Sequence, residues 1–90
     1  MFQIYYHSQV KNDLKKISKT EKTKIKKAIE NKLSVDPVVF GNFLKNTLSG
    51  YRKLKVGKYR IVYQVTNKKE ILIIIISHRK DVYSHVLKRV

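Results

Sequence analysis

Five cations stand within nine consecutive positions of this chain: Arg52, Lys53, Lys55, Lys58 and Arg60. In an extended segment successive side chains point to opposite faces, so Tyr51, Lys53 and Lys55 share one face while Leu54 and Val56 take the other. Two ammonium groups beside an aromatic ring, carried on rigid backbone, are suited to a binding surface. The same pattern also fits a solvated sheet face. A lysine crowded by other cations has its charged form disfavoured, which moves it toward use as a base. A guanidinium stays protonated, so Arg60 and Arg79 suit charge stabilisation better than proton transfer. Further along, the aliphatic run Ile71 to Ile76 ends abruptly at Ser77-His78-Arg79-Lys80-Asp81. A strand end fixes the backbone while its polar side chains reach solvent, which is a frequent place for a functional site. Histidine is the side chain type that can give and take a proton at physiological pH, so His78 is a candidate proton donor.

Composition narrows the chemistry. The 90 residues carry 21 Lys and Arg against 6 Asp and Glu, a formal net charge of +15 that calls for a polyanion or an acidic protein as partner. No cysteine is present, which removes disulfides, thiolate zinc sites and thiol nucleophiles and fits a reducing compartment. The six carboxylates are scattered, so neither a two-metal phosphodiesterase nor a carboxylate-pair hydrolase is expected. His7 and His85 have no partner pattern, and neither a metal nor a cofactor is expected. The longest apolar run has six residues, far short of the roughly 20 that span a bilayer, and Met1 to Val10 lacks a signal-peptide pattern. A cytoplasmic protein with no membrane association is the expectation.

The elements that must position these groups follow from periodicity. Phe2, Ile4 and Tyr6 alternate as in a short strand. Val10, Leu14 and Ile17 form one helical stripe, and Ser18 with Glu21 has capping-box spacing for a second helix bearing Ile25, Ala28, Ile29 and Leu33. Pro37 stops that helix. Nine lysines between Lys11 and Lys32 fall mostly on the opposite faces. Asp36 to Gly50 reads as a partly apolar loop in which Val38, Val39, Phe40, Phe43 and Leu44 pack. Tyr51 to Val56 and Tyr59 to Val65 are strands joined by Gly57-Lys58, a type II′ hairpin turn, and Ile71 to Ile76 is a strand buried on both faces. Asp81 to Val90 closes as a short helix, with Lys88 and Arg89 favourable at its C-terminal end. The expectation is one α+β domain over residues 1–90, built as strand, two-helix hairpin, three-stranded antiparallel meander and short C-terminal helix.

The stretch from Leu48 through Gly57-Lys58-Tyr59-Arg60-Ile61-Val62-Tyr63 to Val65, followed by Ile76-Ser77-His78-Arg79-Lys80-Asp81-Val82-Tyr83, resembles the RelE branch of the RelE/ParE toxin superfamily. The Gly-x-Tyr-Arg core belongs to the whole superfamily and so identifies the fold. The basic pair and the later Arg and Tyr are more selective. The resemblance implies a toxin of a type II toxin-antitoxin system: a ribosome-dependent endoribonuclease that cuts mRNA in the ribosomal A site and is silenced by a cognate antitoxin. By position, Lys53, Lys55, Arg60 and Arg79 match the basic residues of that site, and Tyr83 matches the tyrosine that stacks on a substrate base. Attack of a ribose 2′-OH on the adjacent phosphate needs a proton acceptor and positive charge but no metal. Lys55 is the first choice of base and Lys53 the second. Lys15, Lys16, Lys22, Lys26, Arg52 and Lys58 are expected to contact RNA on the ribosome. The competing readings are a ParE-like toxin that inhibits DNA gyrase without catalysis, and a basic nucleic-acid-binding module.

Overall fold

The computed structural model describes residues 1–44 and 50–90. Its elements are β1 (Gln3–Tyr6), α1 (Val10–Lys15), α2 (Lys19–Ala28), α3 (Pro37–Phe40), β2 (Asn42–Phe43), β3 (Arg52–Val56), β4 (Tyr59–Asn67), β5 (Glu70–His78) and α4 (Val82–Val86). The strands form one sheet in the order β1-β5-β4-β3-β2. The expected meander is its centre: β3, β4 and β5 run antiparallel, and β1 joins the far side of β5 in parallel. A parallel partner needs a crossover, which α1 and α2 supply on one face of the sheet.

Burial on both sides explains the aliphatic richness of β4 and β5. On the face covered by α1 and α2, Val10, Ile17, Ile25, Ile29 and Leu33 pack against Leu54, Ile61, Tyr63, Ile71, Ile73 and Ile76. On the other face Val82 and Val86 of α4 pack with Leu44, Val62, Ile74 and Ile75. Consecutive Ile74 and Ile75 share that second face because the β4–β5 register shifts between Val62 and Tyr63. Such a bulge breaks the period of two.

Local chemistry sets the element ends. The Ser18 hydroxyl accepts a hydrogen bond from the Glu21 N–H (3.3 Å), one half of the expected capping box. Helix α2 does not end at Ala28 but widens into a π-turn over Ile29–Leu33, closed by a bond from Ser34 N–H to Ile29 O (2.9 Å), and both Ile29 and Leu33 stay buried. Gly57 adopts φ +58° in the two-residue turn between paired Val56 and Tyr59, a conformation that disfavours any side chain.

The segment after Pro37 departs from expectation. Rather than a packed loop it holds α3, begun by Pro37 and capped by Asp36, and the edge strand β2. Only Leu44 of the five apolar residues is buried; Val38, Val39, Phe40 and Phe43 face solvent. Their backbone is held from beneath by polar contacts, with Tyr63 Oη donating to Pro37 O (2.6 Å) and Arg52 Nη1 to Val38 O (3.1 Å) and Gly41 O (3.3 Å). The part of that loop at residues 45–49 lies outside the described residues.

Candidate active site

Strand β3 does what alternation predicts. Leu54 is buried against the helices and Val56 packs beside it, while Tyr51 packs on the α4 side of the sheet. Lys53 and Lys55 therefore project toward the α4 face. Lys53 pairs in register with Val62, and Lys55 pairs with Arg60, which in turn lies opposite Ser77 of β5. Residues directly opposite in an antiparallel pair have Cβ atoms about 5 Å apart, so Lys55 and Arg60 are immediate neighbours.

Arg60 is fixed by its own hairpin: Nη1 donates to Gly57 O (3.0 Å) and Tyr59 O (2.9 Å). Among the described residues that leaves its Nε and Nη2 donors for an anion. Arg79 follows β5, and its N–H donates to Lys58 O (2.8 Å), tying the end of the strand to the β3–β4 turn with the Arg79 side chain exposed. The remaining member comes from α4. Tyr83 accepts a hydrogen bond from Lys53 Nζ at 2.9 Å, and the same ammonium lies 5.5 Å from the ring centroid. At 40% exposure the ring still offers surface to a stacking partner. Lys53, Lys55, Arg60 and Tyr83 thus share one face, with Arg79 at its end.

His78 is not with them. It pairs with Tyr59, and the two rings meet edge to face at 5.9 Å on the side of the sheet that packs against the helices. Its Nδ1 accepts from Lys80 N–H (3.1 Å), and its neighbours across a cleft of about 340 Å³ are Asp13, Lys16 and Asp81. Strand alternation is the reason: one residue before Arg79 is the opposite face. As a proton donor to the Lys55 cluster, His78 is corrected by this placement.

Arg52 is also engaged elsewhere. Besides its bonds to Val38 and Gly41, its guanidinium sits 3.7 Å from the Phe43 ring centroid, so it braces α3 and β2 rather than standing ready for RNA. Lys58 is exposed at the hairpin tip. Lys15, Lys16, Lys22 and Lys26 are exposed on α1, its C-terminal end and α2, across the sheet from Lys53. His7 and His85 border a second cleft with Lys88 and Arg89, and among the described residues no cluster of His, Asp and Glu has metal-binding geometry.

One pair escaped the sequence reading. Arg89, assigned there to the end of the last helix, turns inward to make a bidentate ion pair with Asp13 of α1.

A family model described as ParE toxin of type II toxin-antitoxin system, parDE, matches residues 4–83. The chain belongs to this family. Solved structures similar to this toxin bear out the RelE/ParE superfamily fold. The toxin-antitoxin complex RelBE2 from Mycobacterium tuberculosis is 22% identical over 87% of this chain and 98% of that chain, with a TM-score of 0.80. The RelB-RelE antitoxin-toxin complex from Methanococcus jannaschii is 25% identical over 90% of this chain and 96% of that one, with a TM-score of 0.68. YafQ from E. coli strain BL21(DE3) is 19% identical, covers 92% and 99% of the two chains and gives a TM-score of 0.63. No curated protein sequence matches the toxin. No helix among its described residues is long and apolar enough to cross a membrane.

Proposed function

We propose that this toxin is a ribosome-dependent endoribonuclease that cleaves mRNA in the ribosomal A site. The observation that carries the reading is the 2.9 Å contact between Lys53 and Tyr83, which joins the β3 basic pair to an aromatic ring 30 residues away on one open face. In this reading the Tyr83 ring stacks on a base and sets the scissile phosphate over Lys55, Arg60 and Arg79. Lys55 takes the proton of the ribose 2′-OH, whose oxygen attacks the adjacent phosphorus. The bond from phosphorus to the 5′-oxygen breaks, leaving a 2′,3′-cyclic phosphate and a 5′-hydroxyl. Arg60 and Arg79 stabilise the dianionic phosphorane, as preorganised cations do where charge develops. Lys53, already a donor to Tyr83, is the oriented group that can protonate the departing oxygen.

A second reading starts from the ParE name of the matched family model: a ParE-like toxin that inhibits DNA gyrase by protein contact and catalyses nothing. Both are tested side by side. Mapped breaks in mRNA on programmed ribosomes, in frame with the A-site codon and absent without ribosomes, are the expected result. Inhibited supercoiling by gyrase with intact mRNA would decide for the second. A cognate antitoxin, as in the RelB-RelE complexes, would neutralise part of the +15 charge, so co-expression with the neighbouring gene should yield a tight complex of lower pI. Purification of free toxin beside a well-expressed neighbour counts against that partner.

A further inference from the structure

The parallel strand β1 ends at Tyr6, opposite Ile73, and the His7 N–H makes the last bond to Ile73 O (2.8 Å). Strand β5 continues to His78, so beyond Ile73 its outer edge has no neighbouring strand among the described residues. Two side chains take the place of that strand. Asp13 Oδ2 accepts from the Ile76 N–H (3.1 Å), and Arg89 Nη1 donates to Ile74 O (3.0 Å). The same two groups bind each other, Arg89 Nη2 to Asp13 Oδ1 at 2.6 Å and Nη1 to Oδ2 at 2.7 Å. Their side chains are only 9% and 16% exposed. Asp13 belongs to α1 on one face of the sheet, whereas Arg89 follows α4 on the other. The pair therefore fastens the two layers together around the free edge of β5.

Helix α4 needs such a fastening. Five residues cannot hold a helix by themselves, and Tyr83 stands on this turn. Val82 and Val86 bury its inner side, but apolar contacts are non-directional and permit rolling. A bidentate, doubly anchored guanidinium does not. We infer that Asp13 and Arg89 are positioning residues for the toxin's site: they lock the rotation of α4 and so hold Tyr83 against Lys53. The significance for cleavage rests on the nuclease reading above; the geometric effect does not.

The test uses the full-length toxin with Arg89→Lys, which keeps the charge but not the fork, and Asp13→Asn, which keeps an acceptor for the Ile76 N–H. Circular dichroism and Tm report the fold. Nuclear Overhauser effects between the Lys53 Hε protons and the Tyr83 ring report their proximity, without ribosomes. The expected result is a variant that is still folded at the assay temperature although its Tm is lowered, with those cross-peaks absent and kcat on programmed ribosomes lowered about 10- to 100-fold at unchanged KM. Cross-peaks retained in either folded variant would overturn the inference, as would global unfolding of both, which would make the pair purely structural. If wild-type toxin cleaves nothing, the nuclease reading fails while the cross-peaks still decide the latch.

Discussion

At the residue scale the two lysines of β3 are distinguished by what surrounds them. Lys53 is half-buried and donates to Tyr83, whereas Lys55 is exposed beside Arg60. If Lys55 is the proton acceptor, Lys55→Ala lowers single-turnover cleavage by about 10² to 10⁴ with little change in ribosome affinity. Lys55→Arg fails to rescue it, because arginine keeps the charge but does not release its proton. Near-normal cleavage by Lys55→Arg would show a purely electrostatic role and transfer the base to Lys53. A different residue contributes to the loss of stability in alkali. Burial pushes the Tyr63 phenol up to about 12 from 10.0. Between those values the folded toxin keeps a proton at Tyr63 that the unfolded chain has released, so the contribution of this residue to stability is intact below pH 10 and is lost between about pH 10 and 12. Tyr63→Phe, having no proton to lose, removes that contribution. Denaturant midpoints of both proteins across this range should converge as pH rises, and parallel curves would refute the assignment. At neutral pH the variant costs about 1 to 3 kcal/mol, the usual penalty for leaving a buried carbonyl such as Pro37 O without its donor.

At the element scale, the same tyrosine explains a glycine that no turn requires. Gly41 has an ordinary extended backbone, φ −107°, ψ 155°, yet a Cβ there would stand 1.6 Å from Tyr63 Oη and 2.6 Å from its ring carbon. The phenol is pinned by its bond to Pro37 and enclosed by core, so it cannot swing aside. Gly41→Ala should therefore destabilise by about 1 to 3 kcal/mol, the range for overpacking, and Tyr63→Phe should relieve part of that loss. Additive losses in urea titrations would contradict the proposed clash. The pair also shows where the sequence is readable. Regular periodicity announced β3, β4, β5 and the helical hairpin, since each buries one face or both. The α3–β2 segment was misread because its order comes from Tyr63 and Arg52 reaching up to its carbonyls, long-range contacts that leave no local period. Nor could alternation anticipate the bulge that turns both Ile74 and Ile75 toward α4. It did place Lys53 and Lys55 on one face, and strict attention to it would have put His78 on the face opposite Arg79. Asp13 left a sign too: it stands three residues after Val10, inside the apolar stripe with Leu14 and Ile17, where a carboxylate demands a buried partner.

At the scale of the whole molecule, the sheet separates two populations of cations. Lys15, Lys16, Lys22 and Lys26 lie on the helical side, and Lys53, Lys55, Arg60 and Arg79 on the side or end that carries α4 and Tyr83. A net charge of +15 attracts a polyanion at long range whichever face presents it, but in the proposed nuclease reading only the second group touches the phosphate seated beside Tyr83. Binding and chemistry should therefore be separable by substitution. Replacing the four helical lysines with alanine should weaken ribosome binding most at low salt. It should also flatten the dependence of log K on log salt by about 0.7 to 0.9 for each phosphate that those lysines neutralise. Single-turnover cleavage at saturating ribosomes should stay within about threefold of wild type, because uniform binding energy does not lower the barrier from the bound state. Arg79→Ala should give the reverse pattern: a salt dependence little changed, and cleavage from the bound state reduced by about 10² or more, as when one preorganised transition-state donor is removed. Titrations from about 50 to 200 mM salt, paired with quenched single-turnover reactions, measure both quantities on the same preparations. Loss of saturated cleavage in the helical variant would place those lysines in the reaction itself and would require RNA to reach around the sheet edge that Asp13 and Arg89 close.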